Sequence, residues 1–157
     1  MPPEQGVEAL DYCDALAHPG RDLFPPASFP TLWARVEEQI GQTIFCVDEV
    51  KRELTRRDDE VAAWAASQRN LFVPLDQDVQ LATREVLVRC RKLVAVGAKR
   101  DGADPFVIGL ALARTGVVVT EEDPGSANRP KIPEACALVD VRCIGFAQYI
   151  GEQGWVF

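Results

Sequence analysis

Asp104-Pro-Phe-Val-Ile-Gly-Leu-Ala-Leu-Ala-Arg114, then Thr-Gly, then Val117-Val-Val-Thr-Glu-Glu122 is the stretch that decides the fold. Residues 104–114 are nearly all apolar, with one acid at the start. Pro105 falls in the first turn, where its missing N–H costs nothing, so a helix buried on most sides is predicted. Gly116 is read as the stop of that helix. The β-branched run 117–120 then has the pattern of a central parallel strand, apolar on both faces. The strand runs directly into Glu121, Glu122 and Asp123. In parallel sheets ligands bind outside the carboxyl ends of strands, so these acids stand where a site is expected.

Working outward, the same alternation recurs. Thr43-Ile-Phe-Cys-Val47 predicts a buried strand, and Asp48 reads as the N-cap of a helix over 49–57. Asp58 or Asp59 caps a further helical stretch to Gln68, with Val61, Trp64 and Ala65 at i, i+3 and i+4. Earlier, Leu32, Trp33, Val36 and Ile40 form the stripe of a helix that starts near Thr31 and ends at Gly41. The proline cluster from Arg21 to Pro30 reads as a loop, and Val7 to Asp11 as a first strand ending on an acid. Asp76 to Val96 predicts one long amphipathic helix with Val79, Val86, Leu87, Cys90, Leu93 and Val94 on its apolar face and basic residues opposite. Past the decisive stretch come a polar loop to Lys131, a short helix from Pro133, a strand near 141–144 and a helix over 146–153. Strands alternating with helices argue an α/β sandwich with a mainly parallel sheet, organised as a single domain over residues 1–157.

Composition narrows the chemistry. No apolar run approaches the roughly 20 residues of a membrane span. The first residues, Met-Pro-Pro-Glu-Gln-Gly, lack a basic n-region and an apolar h-region, so a cytoplasmic protein away from membranes is expected. A net charge of −7 argues against holding nucleic acid by bulk charge. The five cysteines, at 13, 46, 90, 136 and 143, contain no CxxC pair, which supports neither a disulfide framework nor a zinc knuckle. His18 is the only histidine, which removes most arrangements in which an imidazole activates a serine or cysteine nucleophile. Chemistry, if any, is left to carboxylates.

Four segments place carboxylates at a strand end or helix start: Asp11; Asp48, Glu49 and Glu53; Asp104; and Glu121, Glu122 and Asp123. Mg²⁺ or Mn²⁺ takes hard oxygen ligands, few of them from protein, with water and substrate phosphate in the remaining positions. Converging carboxylates raise one another's pKa values, a cost that a divalent ion removes. Such an ion activates water and stabilises charge on a phosphodiester under in-line attack. Each acid also has a plainer reading, as a helix cap or solvated surface charge.

The stretch 104–111 followed by 116–122 resembles the D-x-x-[IV]-x-x-x-A and V-V-T-x-[DE] signature of PIN domains (PilT N-terminus-like), metal-dependent ribonucleases that include many bacterial toxins. Val47-Asp-Glu-Val-Lys-Arg-Glu-Leu54 is similar to the family's helix carrying a glutamate before leucine. That helix maps the glutamate's role onto Glu53, with Glu49 one turn earlier on the same face. Phe29-Pro-Thr-Leu-Trp33, Lys131-Ile-Pro-Glu-Ala-Cys136 and Gly154-Trp-Val-Phe157 resemble a poorly characterised PIN-like subfamily, and the likeness runs from about residue 7 onward. It implies a three-layer α/β/α fold, Rossmann-like, and a Mg²⁺ or Mn²⁺ site built from Asp11, Glu53, Asp104 and Glu122. PIN strands usually end in Asp followed by Thr or Ser, whereas here the run is Leu10-Asp-Tyr-Cys-Asp14, so Asp14 is a rival to Asp11. Thr120 would be a hydroxyl orienting a ligand or water, or an ordinary strand threonine.

For an RNA substrate the phosphates need cations near the metal. Lys51 and Arg52 lie within one turn of Glu53, and Lys99 and Arg100 precede Asp104. The resemblance further implies an endoribonuclease, a toxin held by an antitoxin protein, and a homodimer. Trp33, Trp64 and Trp155 could stack bases, although their helical spacing fits core packing better. Three other readings stand beside the nuclease. One is a PIN-like scaffold that binds a protein or RNA partner without hydrolysis. A receiver-like domain is weighed against by Asp104 starting a helix rather than ending a strand. A nucleotide-binding Rossmann enzyme lacks a G-x-G-x-x-G after the first strand.

Overall fold

Short β-branched and apolar runs separated by helices give a mixed α/β chain. The computed structural model describes residues 8–10, 16, 18–56, 59–68, 70–93 and 102–157. Its strands are β1 (Glu8–Leu10), β2 (Ile44–Val47), β3 (Phe72–Val73), β4 (Val117–Val119) and β5 (Arg142–Ile144). They pair in parallel in the order β3-β2-β1-β4-β5. The register sets Ala9 between Phe45 and Val118, and Val118 in turn beside Cys143. Eight α-helices accompany them among the described residues: α1 (His18–Leu23), α2 (Pro30–Gln39), α3 (Asp48–Thr55), α4 (Glu60–Ser67), α5 (Gln77–Arg89), α6 (Asp104–Arg114), α7 (Ile132–Leu138) and α8 (Phe146–Glu152). None of them is long and apolar enough to cross a membrane.

The decisive stretch forms as its sequence predicts. In α6, Val107, Ile108, Leu110 and Ala111 are all buried, and β4 buries Val118 and Val119. Helix α6 packs on β1, β2, β4 and, most extensively, on α5. That close approach needs Gly109, because a Cβ there would run into Thr83 of α5, whose backbone N and Cα lie 2.9 Å from its position. Thr83 itself is buried with its hydroxyl donating to the Val79 carbonyl at 2.7 Å, so the polar atom is satisfied inside the contact.

Aromatic residues fasten another part of the core. Trp33 of α2 packs against Phe146 of α8 at 5.7 Å between ring centroids, and Phe146 stacks on Tyr149. The Arg21 guanidinium stands over the rings of both Trp33 and Trp64, 4.8 and 4.9 Å from their centroids. Both indoles also donate, Trp33 to the Phe24 carbonyl and Trp64 to Glu37. These tryptophans are therefore committed to packing, and base stacking is not the role their surroundings suggest.

Several sequence expectations are corrected. The loop read over 21–30 is shorter, because α1 extends to Leu23 and α2 begins at Pro30. Helix α5 ends at Arg89 rather than Val96, with Cys90 outside helical geometry at ψ 71° and a 3-10 turn following over Arg91–Leu93. Leu87, read as buried, is 37% exposed. Helix α2 ends at Gln39, with Ile40 already extended, and Gly41 takes the turn at φ 80°. The left-handed residue that stops α6 is Thr115, at φ 53°, and not Gly116, whose N–H instead donates to Ala111. Strand β3 and helix α1 were not foreseen.

Candidate functional site

All five strands run the same way, so their carboxyl ends lie along one edge. From β1 the chain order runs to β2 and β3 on one side and to β4 and β5 on the other. The switch in direction thus falls between β1 and β4, the crevice where open parallel sheets bind ligands. Leu10 pairs with Val119, so the residues that leave β4 into this edge are Thr120, Glu121 and Glu122. Asp48 leaves β2 at the same edge, one strand away from β1.

Backbone N–H groups at helix starts organise these acids. Glu121 accepts from the N–H of Phe146, the first residue of α8, at 2.6 Å. Glu122 accepts from the N–H of Ile132, the first residue of α7, at 3.3 Å, while its own N–H donates to the Thr120 hydroxyl at 3.1 Å. Glu53 of α3 accepts from the N–H of Ala103, the residue before Asp104, at 3.2 Å. The long-range bond joins two of the expected acid segments, α3 and the amino end of α6. Carboxylates at helix N-termini are stabilised by the unpaired donors and the macrodipole there.

The remaining candidates are placed as follows. Asp48 and Asp104 are the first residues of α3 and α6. The N-cap positions belong to Val47 and Ala103, so neither acid caps its helix as its sequence context suggested. Glu49 is paired with Arg52 at 3.0 Å across one turn of α3. Asp123 is exposed. Thr120 is buried at 5% exposure, its hydroxyl turned to the Glu122 backbone, which fits a residue shaping the β4 end. Lys51 is exposed on α3 and stands over the ring of Phe72 of β3 at 5.7 Å. Asp11, Asp14, Lys99 and Arg100 lie outside the described residues. Among the described residues, no group of three His, Cys, Asp or Glu side chains is arranged to hold a metal ion.

Glu134 has no signal in the sequence, yet it accepts from the N–H of Gly125 and, at 3.1 Å, from that of Lys131. It folds the loop after Asp123 back onto α7, and so fixes the helix that holds Glu122. A capping pattern would have exposed this role, but Lys131 stands where Ser, Thr or Asp would normally mark it. An open, apolar groove of about 600 Å³ lies between the end of α5 and α7, lined in part by Val88, Arg91, Lys92 and Leu138. None of the expected acids lines it.

No curated protein matches this chain. A family model described as a domain of unknown function, DUF4411, matches residues 10–157, which takes in β2 to β5, the last residue of β1, the acids after β4 and the carboxyl-terminal aromatics. The chain belongs to the DUF4411 family.

Proposed function

We propose that the protein is a PIN-like, Mg²⁺- or Mn²⁺-dependent endoribonuclease on a three-layer α/β/α sandwich with a mainly parallel sheet. The observation that carries this reading is the Glu53 to Ala103 bond, which ties α3 to the start of α6 beside Asp104, together with Glu122 at the switch point between β1 and β4. Asp11 or Asp14, Glu53, Asp104 and Glu122 would hold the ion. All are carboxylates, the hard oxygen donors that Mg²⁺ and Mn²⁺ prefer. A divalent ion held there would supply activation of water and stabilisation of charge at a phosphodiester. Lys51 and Arg52 would meet substrate phosphates from α3, and Lys99 and Arg100 from the segment before α6. Regulation by an antitoxin-like protein, homodimer formation and a cytoplasmic location belong to the same proposal and rest on the resemblance alone.

The test is cleavage of a mixed RNA pool by purified protein in Mg²⁺ or Mn²⁺, with chelator and Asp104→Asn as controls. Cleavage lost in both controls supports the nuclease. Absence of cleavage from folded, partner-free protein in either metal overturns it.

A second reading has its own observation. Glu53, Glu121 and Glu122 all accept backbone N–H groups, so each of these carboxylates already has a partner within the chain. On this reading the protein is a scaffold that binds RNA or a protein. Undetectable Mn²⁺ binding by calorimetry, from protein with an intact melting transition, favours it over the nuclease.

A further inference from the structure

The apolar groove between the end of α5 and α7 is lined by Val88 and Leu138, although 58% and 49% of these residues' surfaces meet solvent. The exposed apolar surface does not stop there. Leu81 is 55% exposed and precedes Val88 by seven residues, so the two share one face of α5, turned away from the buried Val79 and Val86. Seven residues of helix span about 10 Å, which makes the stripe on α5 and the groove one elongated surface.

Cations rim it. Arg89, Arg91 and Lys92 all line the groove and are exposed. Arg89 is paired with Glu85 of its own helix at 3.3 Å. Among the described residues Arg91 and Lys92 meet no carboxylate, and Lys92 donates to the neutral side chain of Asn128 at 3.3 Å. Glu134, the acid among the lining residues, is committed to the N–H groups of Gly125 and Lys131. A chain of net charge −7 thus carries a local positive rim around apolar side chains.

We propose that this surface binds an amphipathic helical segment of another protein, with apolar side chains at i, i+3, i+4 and i+7 and carboxylates beside them. The apolar anchors lie along Leu81 and Val88 and enter the groove beside Leu138, and the carboxylates meet Arg91 and Lys92. Length sets the class of occupant, because a small amphipathic anion would fill the groove and leave Leu81 in water. Charge sets its sign. A second copy related by a two-fold axis centred on the groove would bring the Arg91 and Lys92 side chains of both copies together. RNA would find cations but no aromatic ring among the lining residues on which to stack a base. None of the acids expected to hold an ion lines the groove, so this inference does not depend on the nuclease proposal.

The probe is a fluorescein-labelled peptide of about 20 residues, long enough to be helical, with leucines at that spacing, glutamates flanking them and alanine elsewhere. A second peptide has lysine in place of each glutamate. The acidic chain as a whole favours the lysine peptide, so tighter binding of the glutamate peptide reports the local rim. Saturable anisotropy is expected with the glutamate peptide and about tenfold weaker binding with the lysine peptide. Val88→Gln with Leu138→Gln should weaken the glutamate peptide about tenfold while leaving the melting transition in place, and Arg91→Glu with Lys92→Glu should reverse the preference between peptides. No saturation, equal or tighter binding of the lysine peptide, or binding that survives the paired glutamine variant overturns the proposal. So does a dimer in sedimentation equilibrium that becomes monomeric in that variant, which gives the surface to a second copy. Flotation with phosphatidylglycerol vesicles that is lost in the same variant and not competed by the glutamate peptide gives it to a membrane and overturns the proposal equally.

Discussion

Glu121 and Glu122 are neighbours in sequence but hold different helices, one the start of α8 and the other the start of α7. Neither attachment could be read from the sequence, because the partners lie 25 and 10 residues away and no local motif encodes them. That Glu121 and Glu122 follow a strand was legible; what binds each one was not. Glu121→Ala is expected to destabilise the protein by about 1–2 kcal/mol through the lost charged cap on α8, seen as a lower urea midpoint with unchanged slope. If Glu122 and not Glu121 serves the proposed ion, the same variant retains Mn²⁺ binding by calorimetry, while Glu122→Gln loses it. Asp76 offers a pH prediction. The backbone N–H of Val79 holds its carboxyl below the ordinary range, and the Arg114 guanidinium at 2.9 Å adds to this. A carboxyl lowered on folding stabilises the native state above its unfolded pKa, and that stability is lost as pH falls through the folded value. Asp76→Asn keeps a capping side chain but not the charge, so melts of the two proteins should differ at neutral pH and converge in acid.

Helices with an unbroken apolar stripe and strands of β-branched residues were legible. The bounds of α6 coincide with its apolar run, and α4 starts after Asp59, whose side chain accepts from Ala62. Elements failed to show where the local signal is weak or misleading. Leu93 and Val94 continue the stripe of α5 past its real end, and no glycine or proline marks the break at Cys90. Strand β3 is two residues long, too short for any alternation to register. His18-Pro-Gly-Arg-Asp-Leu23 forms α1 with Pro19 in its first turn, where it is tolerated, and with Gly20 as a poor helix former, while Arg21 lies over the rings of Trp33 and Trp64 and donates to the Leu16 carbonyl. The tightest helix contact yields a sharp prediction. Gly109→Ala forces α5 and α6 apart at Thr83 and should cost about 1–3 kcal/mol, whereas Gly151→Ala on α8, where nothing stands within 4 Å, should be neutral or slightly stabilising by thermal melting.

At the scale of the whole molecule, a chain of net charge −7 gains from any cation that binds the folded state alone. On the proposed function, Mn²⁺ at about a hundred times its dissociation constant should raise Tm by roughly 5–10 °C, and chelator should reverse the rise. Equal melting curves with and without Mn²⁺ would count against an ion at the acidic edge. The aromatic packing has an optical consequence. Trp64 contacts Trp33 at 6.5 Å, Trp33 contacts Phe146, Phe146 contacts Tyr149, and Tyr149 contacts Trp155 at 5.6 Å. All three indoles thus belong to one chain of rings running from α4 through α2 and α8 to the end of the polypeptide. Trp33 and Trp64 touch directly, so their near-ultraviolet dichroism should be coupled and replacing either one should alter the signal of the other, while the signal of Trp155, which meets Tyr149 and Phe157, should change little.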